Sequence, residues 1–318
     1  MFPSDLSRVA LLLAEAVAIG GVLGDATAFH LASGGKASRA RLALDCGAAL
    51  DLDRPDRIGL AIACELIHQA SIIHDDIQDK ATTRRGCDSV AARFGEPIAL
   101  SVGDHFLVRA FAQLSTLPKF PALARLFACV VSEMAAAQAE EFGPELWATI
   151  KWPRYRALIE GKAGAMLALP VAGAAVIAGL PAHDIDLASR AARILGVAYQ
   201  AGDDVDDLAA DLAIGALNGV IVRGLDNASG TQRVRWQELL AQARHSGLSV
   251  AEAGVWAARL HPETEFVTAW VRSILPEASA ALLQRAGPRC QALIPVIDDA
   301  AKLLSLNSLP SEAKNHAA

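Results

Sequence analysis

The chain has 318 residues, 29 Lys and Arg against 35 Asp and Glu, a formal net charge of −6, and 53% hydrophobic residues. Charged residues make up 20%, below the ~25% of ordinary globular chains, so apolar surface is ample to offset ordering entropy and disorder is excluded. No net positive field would draw in a polyanion, which disfavours a nucleic-acid binder.

Near the start, the apolar run at 9–14 is broken by Glu15 and preceded by Asp5 and Arg8. That is a poor signal peptide, whose apolar stretch should be uninterrupted and whose flank should be basic. Windows with helical periodicity follow. Clusters of Gly, Pro and Asp separate them at 32–36, 51–56, 85–88, 94–97, 116–121, 143–153 and 179–184. No convincing strand of period two is bounded by turn signals. The window 163–182 is long enough to span a bilayer. It contains Pro170 and several Gly, is otherwise largely Ala, and follows Lys162, so it reads as a buried helix pair and not as a membrane span. Cys46, Cys64, Cys87, Cys129 and Cys290 are odd in number, widely spaced and without a CxxC. They fit neither structural zinc nor a disulfide framework, and the expectation is a cytoplasmic protein. The organisation expected is all-α, a bundle of ten or more helices forming one domain over 1–308, with a polar tail at 309–318.

Two acidic clusters stand out. The first runs from His68 to Asp75-Asp76-x-x-Asp79, at the close of a helix that begins near Pro55. At ~100° per residue Asp75 and Asp79 share a face, and Ile72 and His68 lie on the same stripe. Carboxylates crowded on one helix end repel unless a cation compensates. Hard oxygen donors of this kind suit Mg²⁺, which takes one or two carboxylates plus water and phosphate oxygens. The second cluster is Gln200-x-x-Asp203-Asp204-x-x-Asp207, emerging from the apolar run at 194–198. Either cluster alone reads as a solvated helix end. Two with the same internal spacing, each closing an apolar helix, read as two walls of one metal site.

A metal held by carboxylates implies a phosphorylated ligand, which also needs direct cations. Arg84-Arg85-Gly86 follows the first cluster, Gly34-Gly35-Lys36-x-x-Arg39 lies upstream, and Lys162 stands in Glu-Gly-Lys-Ala-Gly. An Arg fork matches phosphate oxygens bidentately, while Lys serves as a point charge. Singly, each is an ordinary loop charge, and His68 on an apolar face is by default a core histidine.

In combination these residues resemble the trans-isoprenyl diphosphate synthases, the polyprenyl synthetases. The markers appear in order: Gly34-Gly35-Lys36-x-x-Arg39, His68, Asp75-Asp76-x-x-Asp79, Arg84-Arg85-Gly86, Gly103-Asp104, Gln138-x-x-Glu141, Lys162 and Gln200-x-x-Asp203-Asp204-x-x-Asp207. The likeness covers roughly residues 5–305. It implies the isoprenoid synthase helical bundle around a central active-site cavity, usually a homodimer. It further implies a prenyltransferase that condenses an allylic diphosphate with isopentenyl diphosphate. Three Mg²⁺ ions would be held by Asp75, Asp79 and Asp203, with Asp76, Asp204 and Asp207 completing the shell directly or through water. Arg84 and Lys162 would contact the allylic diphosphate. Lys36, Arg39, His68 and Arg85 would form the metal-free isopentenyl diphosphate pocket, and Gln138 and Gln200 would line the site.

Two departures from the family pattern bear on chemistry. Ala163 follows Lys162 where the family usually has Thr. After Asp207 the usual loop with Gly-Lys is missing, and a second Gly-Lys reads Gly215-Ala216. Arg223 is the nearest replacement in sequence, further along the next helix. A terpene cyclase-like enzyme on the same scaffold, or a weakly active partner subunit, are the competing readings. The intact Lys36/Arg39/His68/Arg85 set favours elongation, because a cyclase uses no isopentenyl diphosphate. Ala70 and Ser71 lie ~6–7.5 Å deeper than Asp75 by helix rise. Small residues there leave a channel open and favour an all-trans product of twenty carbons or more.

Overall fold

Segments rich in Ala, Leu and Val fold here as helices that start and stop at the Gly, Pro and Asp clusters. The computed structural model describes residues 4–143 and 146–307, so the expected tail at 309–318 lies outside the described residues. The chain opens with α1 (Asp5–Ala16), α2 (Gly21–Ala32), α3 (Ser38–Ala49) and α4 (Arg54–Gln78). A two-residue ladder follows, β1 (Thr83–Arg84) paired antiparallel with β2 (Cys87–Asp88). Next come α5 (Val90–Phe94), α6 (Glu96–Leu114), α7 (Phe120–Glu141), α8 (Leu146–Thr149) and α9 (Trp152–Ile159). A π-helical turn, Glu160–Gly164, leads directly into α10 (Ala165–Ile177). The chain continues with α11 (Ala182–Asp206), α12 (Leu208–Ile214), α13 (Gly219–Asn227), α14 (Gly230–Ser246) and α15 (Val250–Arg259). It ends with α16 (His261–Arg285), α17 (Pro288–Gln291) and α18 (Ile294–Asn307). The all-α architecture of ten or more helices is therefore as the sequence implies.

The chain divides into two compact units. Of the described residues, one unit holds 4–131, 169–188 and 287–296, and the other 132–143, 146–168, 189–286 and 297–307. Four of the boundaries fall inside α7, α10, α11 and α18, which is why no linker composition marks them.

In the first unit α4 is the organising element, packed against α3 and α6. Pro55 in its first turn suits a position whose N–H has no helical acceptor, and its middle is buried almost continuously from Ile58 to Ile67. Leu60, Leu66 and Phe106 are wholly buried, each aliphatic side chain contributing roughly 1.5–3 kcal/mol by removal from water. In the second unit Trp152 stacks on Tyr155 with ring centroids 5.2 Å apart and meets Trp270 edge-on at 4.9 Å. Ser249 caps α15 through a capping box with Glu252, and Leu208 and Leu212 anchor the short α12.

By length and composition two helices are apolar enough to cross a membrane, Phe120–Glu141 and the continuous stretch Trp152–Ile177. Of the apolar window, 78% is buried in the second and 22% in the first. The second stretch takes in much of the window at 163–182.

Candidate diphosphate and metal site

In the first unit the sequence signals converge on the C-terminal end of α4. The helix ends inside the aspartate motif: the Asp79 N–H donates to the Asp75 carbonyl at 2.8 Å and the Ala81 N–H to the Asp76 carbonyl at 2.9 Å. Asp75 is half-buried and Asp79 exposed. Asp76 is different, since its residue is 2% exposed. Arg84 donates through Nε to Asp76 Oδ1 at 2.8 Å, and a second guanidinium nitrogen reaches the same oxygen. The expectation had Asp76 completing a metal shell and Arg84 on the allylic diphosphate. The structure instead pairs them with each other, because a carboxylate this buried needs a cation.

The ladder explains how the two arginines are presented. Arg85 and Gly86 form its two-residue turn with φ of 54° and 78°, the left-handed pair that matches the twist of a tight hairpin. Ser89, 1% exposed, closes the segment by donating from Oγ to the Ala81 carbonyl at 2.6 Å and by capping α5. A Cβ built on Gly35 would lie 3.0 Å from the Arg85 guanidinium, so the loop before α3 and the hairpin tip are in contact. Lys36 is exposed on that loop.

His68 sits among these cations. Burial, then the charges of Arg39 and Arg85, with His30 and Arg84 adding, push its pKa down to about 2. It is therefore neutral and able to donate or accept a hydrogen bond without adding charge. His30 is a neighbour the sequence reading missed. Its Nε2 lies 2.7 Å from Gln69 Oε1, and Gln69 Nε2 donates to Glu65 Oε1 at 2.6 Å. Because the Gln69 amide must donate to the carboxylate, its oxygen faces His30, which fixes the proton on His30 Nε2. Burial lowers the His30 pKa despite that bond. His74, also unsuspected, accounts for Gly103-Asp104: any Cβ at Gly103 would fall 2.2 Å from His74 Nε2, and Asp104 Oδ1 lies 3.6 Å from the same nitrogen.

In the second unit the π-helical turn places Lys162 against Glu141, to which its Nζ donates. Extra-residue turns of this kind recur at functional sites. Lys162 was expected on the allylic diphosphate, and the structure pairs it with Glu141. Gln138 is half-buried on α7, one turn before Glu141. On α11, Asp203 is half-buried and Asp207 exposed, whereas Asp204 is 2% exposed. Asp204 accepts from Gln200 Nε2 at 2.9 Å, Tyr155 Oη at 2.5 Å and the Gly219 N–H at 2.6 Å. Burial pushes its pKa up to about 7 against those three bonds. Both carboxylate oxygens are thus engaged by protein donors, at a residue expected to complete a metal shell directly or through water. Gln200, expected to line the site, is one of those donors.

The missing Gly-Lys loop is replaced by α12, which carries Asp211. Burial raises the Asp211 pKa to about 6; the Asn218 hydrogen bond opposes this, and the charges of Asp207, Glu141 and Asp203 add to it. Arg223, the nearest replacement in sequence, lies against aromatic rings. Its guanidinium lies 4.0 Å from the centroid of Phe266 and 5.7 Å from that of Trp152.

Among the described residues no three His, Cys, Asp or Glu side chains are grouped closely enough to hold a metal ion by themselves. The donors left at the two helix ends, Asp75 with Asp79 and Asp203 with Asp207, are hard carboxylate oxygens. Either pair by itself offers the donors that suit Mg²⁺, which completes its octahedron with water and phosphate oxygens, and would not suit a soft metal.

Carboxylate-tipped helices and a cationic corner with a neutral histidine are the equipment of a protein that handles phosphorylated ligands. The model of the family described as polyprenyl synthetase matches residues 22–250, and the chain belongs to that family. A short chain isoprenyl diphosphate synthase from Methanothermobacter thermautotrophicus is 30% identical over 224 residues, 66% of this chain and 69% of the relative. A geranylgeranyl diphosphate synthase from Methanosarcina mazei is 27% identical over 191 residues, 58% of each. The matches thus span 69% and 58% of those relatives' lengths. In fold it is similar to a decaprenyl diphosphate synthase from Rhodobacter capsulatus, with a TM-score of 0.81 at 21% identity, covering 94% of this chain and 96% of the other. It is likewise similar to a polyprenyl synthase from Caulobacter crescentus complexed with calcium and isoprenyl diphosphate, with a TM-score of 0.72 at 20% identity, covering 93% and 94%. The fold is that of the isoprenoid synthases.

Proposed function

We propose that the protein is a Mg²⁺-dependent trans-prenyltransferase that condenses an allylic diphosphate with isopentenyl diphosphate. Its product is an all-trans prenyl diphosphate of twenty carbons or more. The observation that carries this reading is the cluster of Arg39, Arg84 and Arg85 around a half-buried His68 that desolvation and their charges keep neutral, beside the carboxylates that close α4. A cationic corner next to a carboxylate pair suits one diphosphate bound without metal and another bound through it.

Asp75 and Asp79, and on α11 Asp203 and Asp207, would hold Mg²⁺, which when bound neutralises the charge that builds on a departing diphosphate. Lys162 would exchange Glu141 for that diphosphate. Arg39 and Arg85 would bind the isopentenyl diphosphate, with Lys36 swinging in from its loop and His68 contributing a neutral hydrogen bond. In the reaction the allylic C–O bond breaks, the allylic carbon bonds to the terminal alkene carbon of isopentenyl diphosphate, and a proton leaves to the released diphosphate. Apolar side chains lining α4 would keep water from the cation. Small residues at Ala70 and Ser71 support the longer product. The geranylgeranyl and decaprenyl names of similar proteins point the same way.

The free state of the five cysteines, three of them buried, supports a reducing, cytoplasmic setting. The poorly buried apolar α7 supports a homodimer in which a second copy covers it; light scattering on purified protein would give the mass. Calorimetry tests the pocket directly. Isopentenyl diphosphate should bind in excess EDTA, and Arg85→Gln should weaken it by about tenfold or more, the value of one charge-assisted contact. No metal-free binding to the wild type would refute the assignment.

A further inference from the structure

Between Asp207 and Gly219 the chain makes a short, pinned connection. At its far end stands Asn218, fully buried. Its Nδ2 donates to the Asp204 carbonyl at 2.6 Å and to Asp211 Oδ2 at 2.8 Å. Its Oδ1 accepts from the Val220 N–H at 2.9 Å and from the Ile221 N–H at 3.4 Å, capping α13. One side chain thereby joins the end of α11, the middle of α12 and the start of α13, with its donors and its acceptor all engaged. Beside it, Tyr155 Oη and the Gly219 N–H converge on Asp204 Oδ2. Only glycine allows this approach, because a Cβ at 219 would lie 2.6 Å from Tyr155 Cζ and 2.7 Å from its Oη.

We propose that Asn218 and Tyr155 are positioning residues that clamp Asp204, so that the middle aspartate of this motif serves as a strut and Asp203 and Asp207 are presented in fixed register to a metal-bound diphosphate. Asp207 begins α12 within one turn of Asp203, its N–H donating to the Asp203 carbonyl at 2.8 Å, and the Asp211 N–H donates to the Asp207 carbonyl at 2.9 Å. Any slack at Asp204 or Asp211 therefore moves the backbone between the two ligands. Groups that orient ligands from behind affect metal affinity without touching the metal.

The proposal rests on the reading that Asp203 and Asp207 serve Mg²⁺, and the test separates the two. The probe is Mg²⁺ titrated into the full-length protein with inorganic diphosphate, followed by calorimetry, with the melting temperature in EDTA measured alongside. Tyr155→Phe and Asn218→Ser should each raise the Mg²⁺ concentration for half-saturation about tenfold while leaving the number of ions bound unchanged. Asn218→Ser keeps a cap on α13 and removes only the amide donors, so it stands as a second route should Tyr155→Phe fold poorly. Asp204→Asn should behave like these two, whereas Asp203→Asn should abolish the binding. If Asp204→Asn instead abolishes binding as Asp203→Asn does, or if Tyr155→Phe and Asn218→Ser titrate as the wild type, the strut assignment is overturned. If the wild type itself binds no Mg²⁺ with diphosphate, the functional reading falls first and the strut assignment with it.

Discussion

Replacing Arg84 by Gln removes the cation that faces Asp76 while leaving a polar side chain in the hairpin. The Asp76 side chain is 3% exposed and receives two donations from Arg84, whose own side chain is 38% exposed. Taking away one partner of a buried pair strands the other charge, a loss of ~3–5 kcal/mol when both groups are buried. Water reaches one side of Arg84, so the expected loss is about 2–3 kcal/mol. Asp76→Asn, which removes the charge and keeps the shape, should cost about 1–2 kcal/mol. The double variant should be more stable than the sum of the two losses predicts, by roughly 1–2 kcal/mol of coupling. Arg84→Lys should recover only part, since an ammonium cannot reproduce the fork. Urea unfolding followed by far-ultraviolet circular dichroism at neutral pH gives all four values. Losses that add within about 0.5 kcal/mol would show that the two groups act independently, and the pairing would not be what holds the hairpin to α4.

His68 gives a pH signature. Its folded pKa of about 2 lies below the ordinary 6.5, so the unfolded chain takes up a proton that the folded protein refuses. The stability is whole above about pH 6.5 and is lost as pH falls below it, by about 2 kcal/mol between pH 7 and pH 5. His68→Asn should flatten the urea-midpoint profile by that amount over the same range, and parallel profiles would contradict the half-buried, cation-flanked histidine. Ala70→Phe, on α4 at 3% exposure, should shorten the prenyl product, read by mass analysis of the extracted chains; an unchanged length distribution would remove Ala70 as the controlling position.

Much of this was legible in the residues because it is local. The start of α4 at Pro55, its end in Asp75-x-x-x-Asp79 and the breaks at Gly95 and Gly179 all follow from period and punctuation. The acidic clusters were legible as composition on a helix face. What could not be read depends on contacts between distant positions. His30 bonds Gln69 across 39 residues and Tyr155 bonds Asp204 across 49. Nothing in a run of similar aspartates tells which one will be buried, so Asp76 and Asp204 looked like their neighbours. The hairpin turn at Arg85-Gly86 lacked the Asn-Gly or Asp-Gly signal that usually marks it. The connection after Asp207 read as a deletion, while the fold fills it with α12 and the Asn218 clamp. An arginine a turn along α13 looked like a spare cation, but aromatic rings at its side claim it.

The account turns on transfer between two diphosphates. Isotopically labelled isopentenyl diphosphate, incubated with the wild-type protein and an allylic diphosphate in Mg²⁺ and again after EDTA, tests that most directly. The expected result is label in an extractable linear prenyl diphosphate of twenty carbons or more, formed only when both substrates and the metal are present. A cyclic hydrocarbon formed from the allylic diphosphate alone, or no labelled product from protein that binds both substrates, would contradict it.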